Sequence, residues 1–166
     1  MSGAGRWDRW RAWWAYQQGV MLRFWGHMTV RRGFYEDSVG AFSRAIRLAP
    51  DSVDAYLVRG LLYWRELQDA RRAVADFSAV LRLDPTRSEA LFYRGMAYQA
   101  QGDYAAAAAD LRTAIEQAPG AIWRENAYDQ LIAIEAILDD LAARLGGVPD
   151  GLLPAGTEQS PPAGTG

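Results

Sequence analysis

Residues 88–119 read SEALFYRGMAYQAQGDYAAAAADLRTAIEQAP, and two earlier stretches repeat this pattern. A glycine, a small residue and a closing proline keep matching places in all three copies. The closing prolines, Pro50, Pro85 and Pro119, lie 35 and 34 residues apart. A period of this length is typical of helical hairpins that stack side by side. The sequence therefore predicts an all-α fold, an α-solenoid of stacked antiparallel helix hairpins.

Each copy carries the pattern of two paired helices. In the second helix of the middle copy, Phe77, Val80 and Leu81 recur at spacings that predict one buried stripe. Glycine stands at the same place inside every first helix, at Gly26, Gly60 and Gly95. Since a glycine inside a helix costs about 1 kcal/mol relative to alanine, we expect another helix to pack closely at these places.

Turn signals separate the helices. Gly33 and Gly102 are predicted to lie in the turns of the first and third hairpins. In the middle copy, residues 66–69 (ELQD) replace that turn and include one extra residue, so we expect a different bend there. Each second helix is expected to end at its closing proline, because proline cannot continue a helix.

The matched glycine, alanine and proline places resemble the motif of the tetratricopeptide repeat family. The resemblance covers residues 19–121, in the repeats 19–52, 53–87 and 88–121. Arg59 and Arg94 stand where the family has leucine before the glycine, and Trp25 is the apolar residue at that place. The resemblance implies a superhelix whose concave groove, lined by the first helices, holds a partner.

The resemblance also implies which side chains line this groove. They are Arg23, His27, Val30 and Arg31 in the first repeat, Leu57, Leu61, Trp64 and Arg65 in the second, and Phe92, Met96 and Gln99 in the third. Leu57, Leu61 and Phe92 stand where the family's grip on acidic C-terminal tails uses polar groups. An apolar or amphipathic peptide, or a helix, of another protein is therefore the expected partner, with Trp64 and Met96 as anchors.

Residues 1–18 form a Trp- and Arg-rich extension before the repeats. We expect a helix that begins near Arg6 and runs into the first repeat or abuts it at Gly19. Its tryptophans are Trp7, Trp10, Trp13 and Trp14. Three interpretations stay open: a cap on the end of the stack, a docking surface for another protein, and insertion into a membrane interface. Arginines interrupt the apolar run, so neither a signal peptide nor a transmembrane span is predicted.

Residues 122–145 are predicted to form one amphipathic helix that covers the last repeat. Tyr128, Leu131, Ile134 and Leu138 belong to its apolar stripe, and acidic residues supply the rest. This segment resembles the solvating helix that follows many tetratricopeptide arrays. Residues 146–166 are rich in proline and glycine, and we expect a flexible, solvated tail.

Composition excludes several kinds of site. The chain has no cysteine, its 18 basic residues are all arginine, and His27 is its only histidine. Disulfides, thiolate chemistry, Schiff-base lysines and sites with several histidines are therefore ruled out. No serine or carboxylate stands in a nucleophile–base pattern, so we expect no enzyme activity, no cofactor and no metal. The net charge of −2 and the lack of a nucleic-acid motif make nucleic acid an unlikely partner.

Charge is unevenly distributed along the chain. Residues 1–18 and 19–52 each carry a net charge of +2, whereas residues 122–145 carry −3. This polarity leaves open orientation of a partner or head-to-tail self-association. The lack of a targeting segment predicts the cytoplasm, and the all-arginine basic set indicates a bacterial source.

The leading functional hypothesis is a non-enzymatic protein-interaction module, such as an adaptor, scaffold or assembly factor, that binds a peptide or helix in its groove. The Trp-rich helix is a second surface for such a partner. The alternative is a peripheral membrane protein, anchored by the N-terminal Trp/Arg helix, with the repeats as a platform.

Overall fold

The structure, a computed structural model, describes residues 5–145, and these residues form seven α-helices and no strand. The helices are α1 (Arg6–Thr29), α2 (Arg32–Leu48), α3 (Val53–Leu61), α4 (Ala70–Leu83), α5 (Ser88–Gln101), α6 (Tyr104–Gln117) and α7 (Arg124–Leu145). A π-helical turn, Leu62–Glu66, extends α3. The predicted all-α class is confirmed, whereas the predicted tail at 146–166 lies outside the described residues.

The helices pack as consecutive hairpins. Helices α1 and α2, α3 and α4, and α5 and α6 pair, and each hairpin also contacts the next one along the chain. Phe42, Phe77 and Leu111 occupy the same place on the three second helices, and each is fully buried. Neighbouring hairpins thus bury apolar side chains that a single hairpin would leave exposed, which confirms the predicted solenoid.

The matched glycines lie where the second helix of the same hairpin comes closest. A Cβ atom on Gly60 would lie 2.8 Å from the Phe77 ring. A Cβ atom on Gly95 would lie 3.0 Å from Leu111 Cγ and 3.2 Å from the carbonyl oxygen of Ala107. In the first hairpin the partners are shifted: a Cβ atom on Gly26 would lie 2.6 Å from the Tyr35 ring of α2, and Gly19 is the glycine that meets Phe42. The predicted close packing at these glycines is confirmed.

Helix α1 is continuous from Arg6 to Thr29, so the N-terminal extension runs into the first repeat without a break. Its buried residues, Ala12, Gly19 and Gly26, are small and lie seven residues apart on one side. At Gly19 a Cβ atom would lie 2.8 Å from the Phe42 ring, and the carbonyl oxygen accepts a 2.7 Å hydrogen bond from Ser38 Oγ. This seam of small residues holds the whole of α1 close against α2.

The turns differ between hairpins. Gly102 ends α5 in the left-handed conformation, with φ of 80°, as predicted. The prediction for Gly33 is wrong: it lies inside α2, and Val30 takes the left-handed conformation with φ of 54°. In the middle hairpin the π-helical turn and a left-handed Gln68 absorb the extra residue, so its bend differs as expected.

Helix α7 begins at Arg124, two residues later than predicted, and covers the last hairpin. Ala127, Leu131 and Ile134 are buried in one cluster with Leu111 and other residues of α5 and α6. The predicted cover of the last repeat is therefore present.

Candidate functional site

The first repeat places two predicted groove residues on α1 and two in the connection that follows it. Arg23 is half-buried, and His27, Val30 and Arg31 are exposed. His27 Nδ1 lies 3.3 Å from the hydroxyl of Tyr35 and 4.0 Å from a carboxylate oxygen of Glu66. Burial, together with the nearby Glu66 carboxylate, raises the pKa of Tyr35. His27 therefore lies where the first hairpin meets the π-helical turn of the second.

The second repeat contributes one core residue and three surface residues. Leu57 is buried in the core, so its side chain does not line an open groove as predicted. Leu61 is half-buried. Trp64 and Arg65 lie in the π-helical turn, where the Arg65 guanidinium stacks 5.2 Å from the centre of the Trp64 ring. The extra residue of the middle repeat thus builds the turn that carries the central pair of the predicted groove.

The third repeat is partly covered by the chain that follows it. Phe92 is buried and stacks on Trp123, with ring centres 5.0 Å apart and planes 12° apart, so the predicted surface role of its side chain is corrected. Met96 is half-buried against the same core. Gln99 Nε2 donates a 3.1 Å hydrogen bond to Gln130 Oε1 on α7. The approach to α7 therefore closes this end of the predicted groove.

A row of four aromatic rings crosses the predicted groove from the second hairpin to α7. This aromatic row consists of Trp64, Tyr93, Phe92 and Trp123, with successive ring centres 5.7, 5.1 and 5.0 Å apart. Arg65 also stacks 5.3 Å from the centre of the Tyr93 ring. Trp64, Tyr93 and Trp123 are half-buried, so each ring keeps an exposed part. The row offers apolar contact area with one cation at its edge.

Tyr93 and Trp123 were not among the predicted groove residues. Tyr93 lies beside the predicted Phe92, and Trp123 lies in the loop before α7. Trp123 follows the last repeat boundary directly, whereas Tyr93 lies two residues before Gly95, at a place that Phe24 and Val58 fill in the earlier repeats.

A second surface lies on the side of α1 that faces away from α2. Eight large apolar side chains on this side are between 49% and 77% exposed. These residues, the outer face of α1, are Trp7, Trp10, Trp13, Trp14, Met21, Phe24, Trp25 and Met28. Neighbouring rings contact each other edge to face, as for Trp10 with Trp14 at 5.9 Å. Because the four N-terminal tryptophans stay more than half exposed, they do not act as a buried cap on the stack.

A groove of about 1100 Å³ runs along the outer face of α1. Trp10, Trp14 and Met21 form much of its wall, and Leu48 of α2 closes one side. Arg11 and Arg44 lie at its edge. The groove is thus apolar, open and bordered by positive charge.

A repeated ionic network, which the sequence prediction missed, joins the hairpins. The Arg59 guanidinium donates to both carboxylate oxygens of Asp76 at 2.8 and 2.7 Å, and to Ser43 Oγ of the preceding hairpin at 2.8 Å. Burial has the largest single effect on the pKa of Arg59 and lowers it, but the hydrogen bonds to Asp76 and the negative charge of that carboxylate act together against burial, and the pKa of Arg59 is raised. Burial also raises the pKa of Asp76 despite those hydrogen bonds. The ion pair therefore joins the two helices of the second hairpin, and the bond to Ser43 ties this hairpin to the first.

The third repeat builds the same network. The Arg94 guanidinium donates to Asp110 at 2.7 and 2.8 Å and to Ser78 Oγ at 3.2 Å. Hydrogen bonding to Asp110 raises the pKa of Arg94. Among residues 5–145, no group of three His, Asp or Glu side chains lies close enough to hold a metal ion.

Comparisons with known proteins agree with this architecture. The sequence model of the tetratricopeptide repeat matches residues 26–68 and 65–122. The Arabidopsis OM64 TPR domain is 21% identical, with a TM-score of 0.66 over 76% of this chain and 98% of that one. The second TPR domain of human RPAP3, in complex with the HSP70 peptide SGPTIEEVD, is 23% identical, with a TM-score of 0.59 over 73% and 98%.

A bacterial structure is also similar. The Yersinia enterocolitica type III secretion chaperone SycD, in complex with a peptide of the translocator YopD, is 19% identical, with a TM-score of 0.63 over 74% of this chain and 92% of that one. Among curated proteins, no sequence relative matches the chain. At these identities the similar structures establish the shared fold.

Proposed function

Because the chain belongs to the tetratricopeptide repeat family, we propose that it is a non-enzymatic protein-interaction module that binds a peptide or helix of another protein. The aromatic row with Arg65 at its edge carries this proposal. Half-buried aromatic rings next to an arginine are the side chains in which binding energy concentrates at protein interfaces. The peptide-bound structures of RPAP3 and SycD support the same class of partner.

The partner that fits this surface is apolar or amphipathic. Trp64 and Tyr93 present mainly aromatic ring surface, and Met96 adds adaptable apolar surface beside them. Arg65 is exposed, so an acidic side chain of the partner gains a contact at the edge of the row. We therefore expect an amphipathic helix with one acidic residue beside its apolar stripe.

An acidic C-terminal peptide is a poor fit. Leu61 is apolar and half-buried, while Leu57 and Phe92 are buried, so these three places offer no donor to a free carboxylate. We expect the peptide SGPTIEEVD to bind the chain at least about tenfold more weakly than an amphipathic helix, a difference of about 1.4 kcal/mol.

The experiment selects 20-residue peptides from a displayed random library on the full chain and measures their affinity by fluorescence anisotropy. Trp64→Ala is expected to weaken binding by more than about 1 kcal/mol while helicity stays unchanged. Trp7→Ala, which removes an exposed ring on the outer face of α1, is the matched control and should leave the affinity unchanged.

Two results contradict the proposal. If Trp64→Ala binds the selected peptides as well as the native chain does, the aromatic row is not the binding site. If selection yields only peptides with acidic C-termini, the partner chemistry is wrong even though the interaction role stands.

A further inference from the structure

The outer face of α1 corresponds to positions that later repeats bury. Gly19 packs on Phe42 as Gly60 packs on Phe77 and Gly95 on Leu111. Counting from these three glycines, Trp14 occupies the place of Ala55 and Ala90, and Met21 that of Leu62 and Ala97. Ala55, Ala90 and Ala97 are 0% exposed and Leu62 is 1% exposed, whereas Trp14 is 51% exposed and Met21 is 63% exposed. The face that stacks on the preceding hairpin in every later repeat is therefore uncovered in the first.

The exposed sides of the two terminal helices, α1 and α7, differ in composition. At the far end, α7 exposes Ile132, Ile137 and Leu141, but it also exposes the acidic residues Glu125, Asp129, Asp139 and Asp140, which keep this side solvated. A polar outer side is what terminal repeats need for solubility. At the near end the corresponding side carries eight large apolar residues instead. The contrast indicates that the outer face of α1 meets a partner.

The geometry of α1 fits a flat apolar partner. At about 100° per residue, the outer face is centred opposite the seam of Ala12, Gly19 and Gly26 and spans about a third of the helix circumference. The helix rises about 36 Å over its 24 residues, so this strip follows its whole length. Within residues 5–145, every helix is too short or too polar to cross a bilayer. A helix of this kind lies in the plane of a membrane surface rather than across it.

Charge decides the chemistry of the partner. Arg9 and Arg11 of α1 and Arg44 of α2 are exposed beside the outer face. The acidic residue of α1, Asp8, lies on the seam side, and its carboxylate accepts a hydrogen bond from the Gly5 backbone N–H at 3.3 Å. An anionic surface would pair with these exposed arginines.

From these observations we infer that the outer face of α1 binds the surface of an anionic phospholipid bilayer. The helix lies parallel to the membrane plane with its tryptophans at the headgroup level, where their rings are favoured. The repeats then project from the membrane and leave the aromatic row free for a protein partner. This surface is separate from the proposed peptide site, so either proposal can fail without the other.

The test uses the full chain and co-sedimentation with vesicles of phosphatidylcholine alone or of equal parts phosphatidylcholine and phosphatidylglycerol. The native chain should bind the anionic vesicles. The triple variant Trp10→Ser, Trp14→Ser, Trp25→Ser should bind them at least about a hundredfold more weakly, because it removes exposed apolar area. The matched control is the double variant Ile122→Ser, Ile132→Ser. Ile122, in the loop before α7, is 101% exposed, and Ile132, on α7, is 64% exposed. This variant should bind the anionic vesicles within about twofold of the native chain.

Charge and burial are tested separately. The double variant Arg9→Gln, Arg11→Gln should bind the anionic vesicles more weakly than the native chain, by about fivefold for each arginine replaced. Added salt should reduce this difference in affinity between the two proteins. In the native chain, lipids brominated on the acyl chain should quench tryptophan fluorescence, which tests the contact even if a variant fails to fold. A folded triple variant keeps Trp7, Trp13, Trp64 and Trp123, and because it binds more weakly its fluorescence should be quenched much less at the same lipid concentration.

Several results would overturn the inference. Absence of binding to anionic vesicles, or equal binding by the native chain and the folded triple variant, removes the membrane contact. Equal binding to neutral and anionic vesicles removes the role of the arginines. If light scattering finds a native dimer and a monomeric triple variant, a second copy covers this face instead.

Discussion

Removing Asp76 should destabilise the protein more than removing Asp76 and Arg59 together. The Arg59 side chain is 17% exposed and Asp76 is 6% exposed, so the pair sits largely out of water. Asp76→Ala leaves the guanidinium without its bidentate partner, whereas Arg59→Leu with Asp76→Ala leaves no charge behind. Breaking a buried pair by removing one partner is costly, while replacing both by apolar residues is often neutral.

The magnitude follows from the contacts. Asp76→Ala deletes two charge-assisted hydrogen bonds of 2.7 and 2.8 Å, each worth about 1.5–3 kcal/mol. Arg59 keeps its bond to Ser43 and part of its access to water, so we expect a loss of about 3 kcal/mol. Arg59→Leu strands the more buried carboxylate and should cost about 4 kcal/mol. The double variant should lie within about 1 kcal/mol of the native chain.

The first repeat already contains such a double replacement. Gln18, one residue before Gly19, and Ala41, one residue before Phe42, occupy the places of Arg59 and Asp76, so that hairpin forms without the ionic pair. Urea unfolding of the four proteins, followed by circular dichroism at 25 °C, gives the coupling energy directly. If Asp76→Ala costs less than about 1 kcal/mol, or if the double variant is no more stable than the single ones, the network is not the stabilising contact that its geometry indicates.

Two further predictions concern pH and packing. In Arg59→Leu, burial raises the pKa of the unpaired Asp76, so its protonated form favours folding. The loss of unfolding free energy relative to the native chain should therefore be small below about pH 4 and grow as pH rises to neutral. Urea titrations at several pH values would measure it, and a loss that does not change with pH would contradict this prediction. Gly95→Ala should cost about 1–3 kcal/mol, because its Cβ meets Leu111 and a backbone oxygen, whereas Gly120→Ala, with nothing within 4 Å, should be nearly neutral in the same assay.

The fold was predictable because three copies of the repeat carry the same kinds of residue at matched positions. A single glycine in a helix is weak evidence, but Gly26, Gly60 and Gly95 together required a shared packing reason, and the second helix supplies it. The first turn was not predictable in the same way. Gly33 is the residue that a turn prefers, yet Val30 takes the left-handed conformation because α1 continues to Thr29 and α2 begins at Arg32.

The candidate site was less predictable, because burial depends on segments outside the repeat. Phe92 is covered by Trp123, and the corresponding connections of the earlier copies, residues 49–52 and 84–87, contain no aromatic residue. The ionic network also left a pattern in the sequence, but hydrophobic periodicity alone does not reveal which arginine pairs with which aspartate. Arg59 and Arg94 are 35 residues apart and their partners are 34 apart, so pairing the two series across helices would have found it.

Helix α1 makes three kinds of contact on different sides, and these contacts explain its unusual composition. The small residues of its seam, such as Gly19, let it lie against Phe42 of α2. His27 reaches Tyr35 and the carboxylate of Glu66, which ties α1 to the second hairpin. The outer face has no such partner among residues 5–145, although a preceding hairpin would have covered it in a longer array. Since the seam already holds α1 in place, the tryptophans of the outer face are free to serve binding, and replacing them should change membrane affinity while leaving the unfolding free energy within about 0.5 kcal/mol.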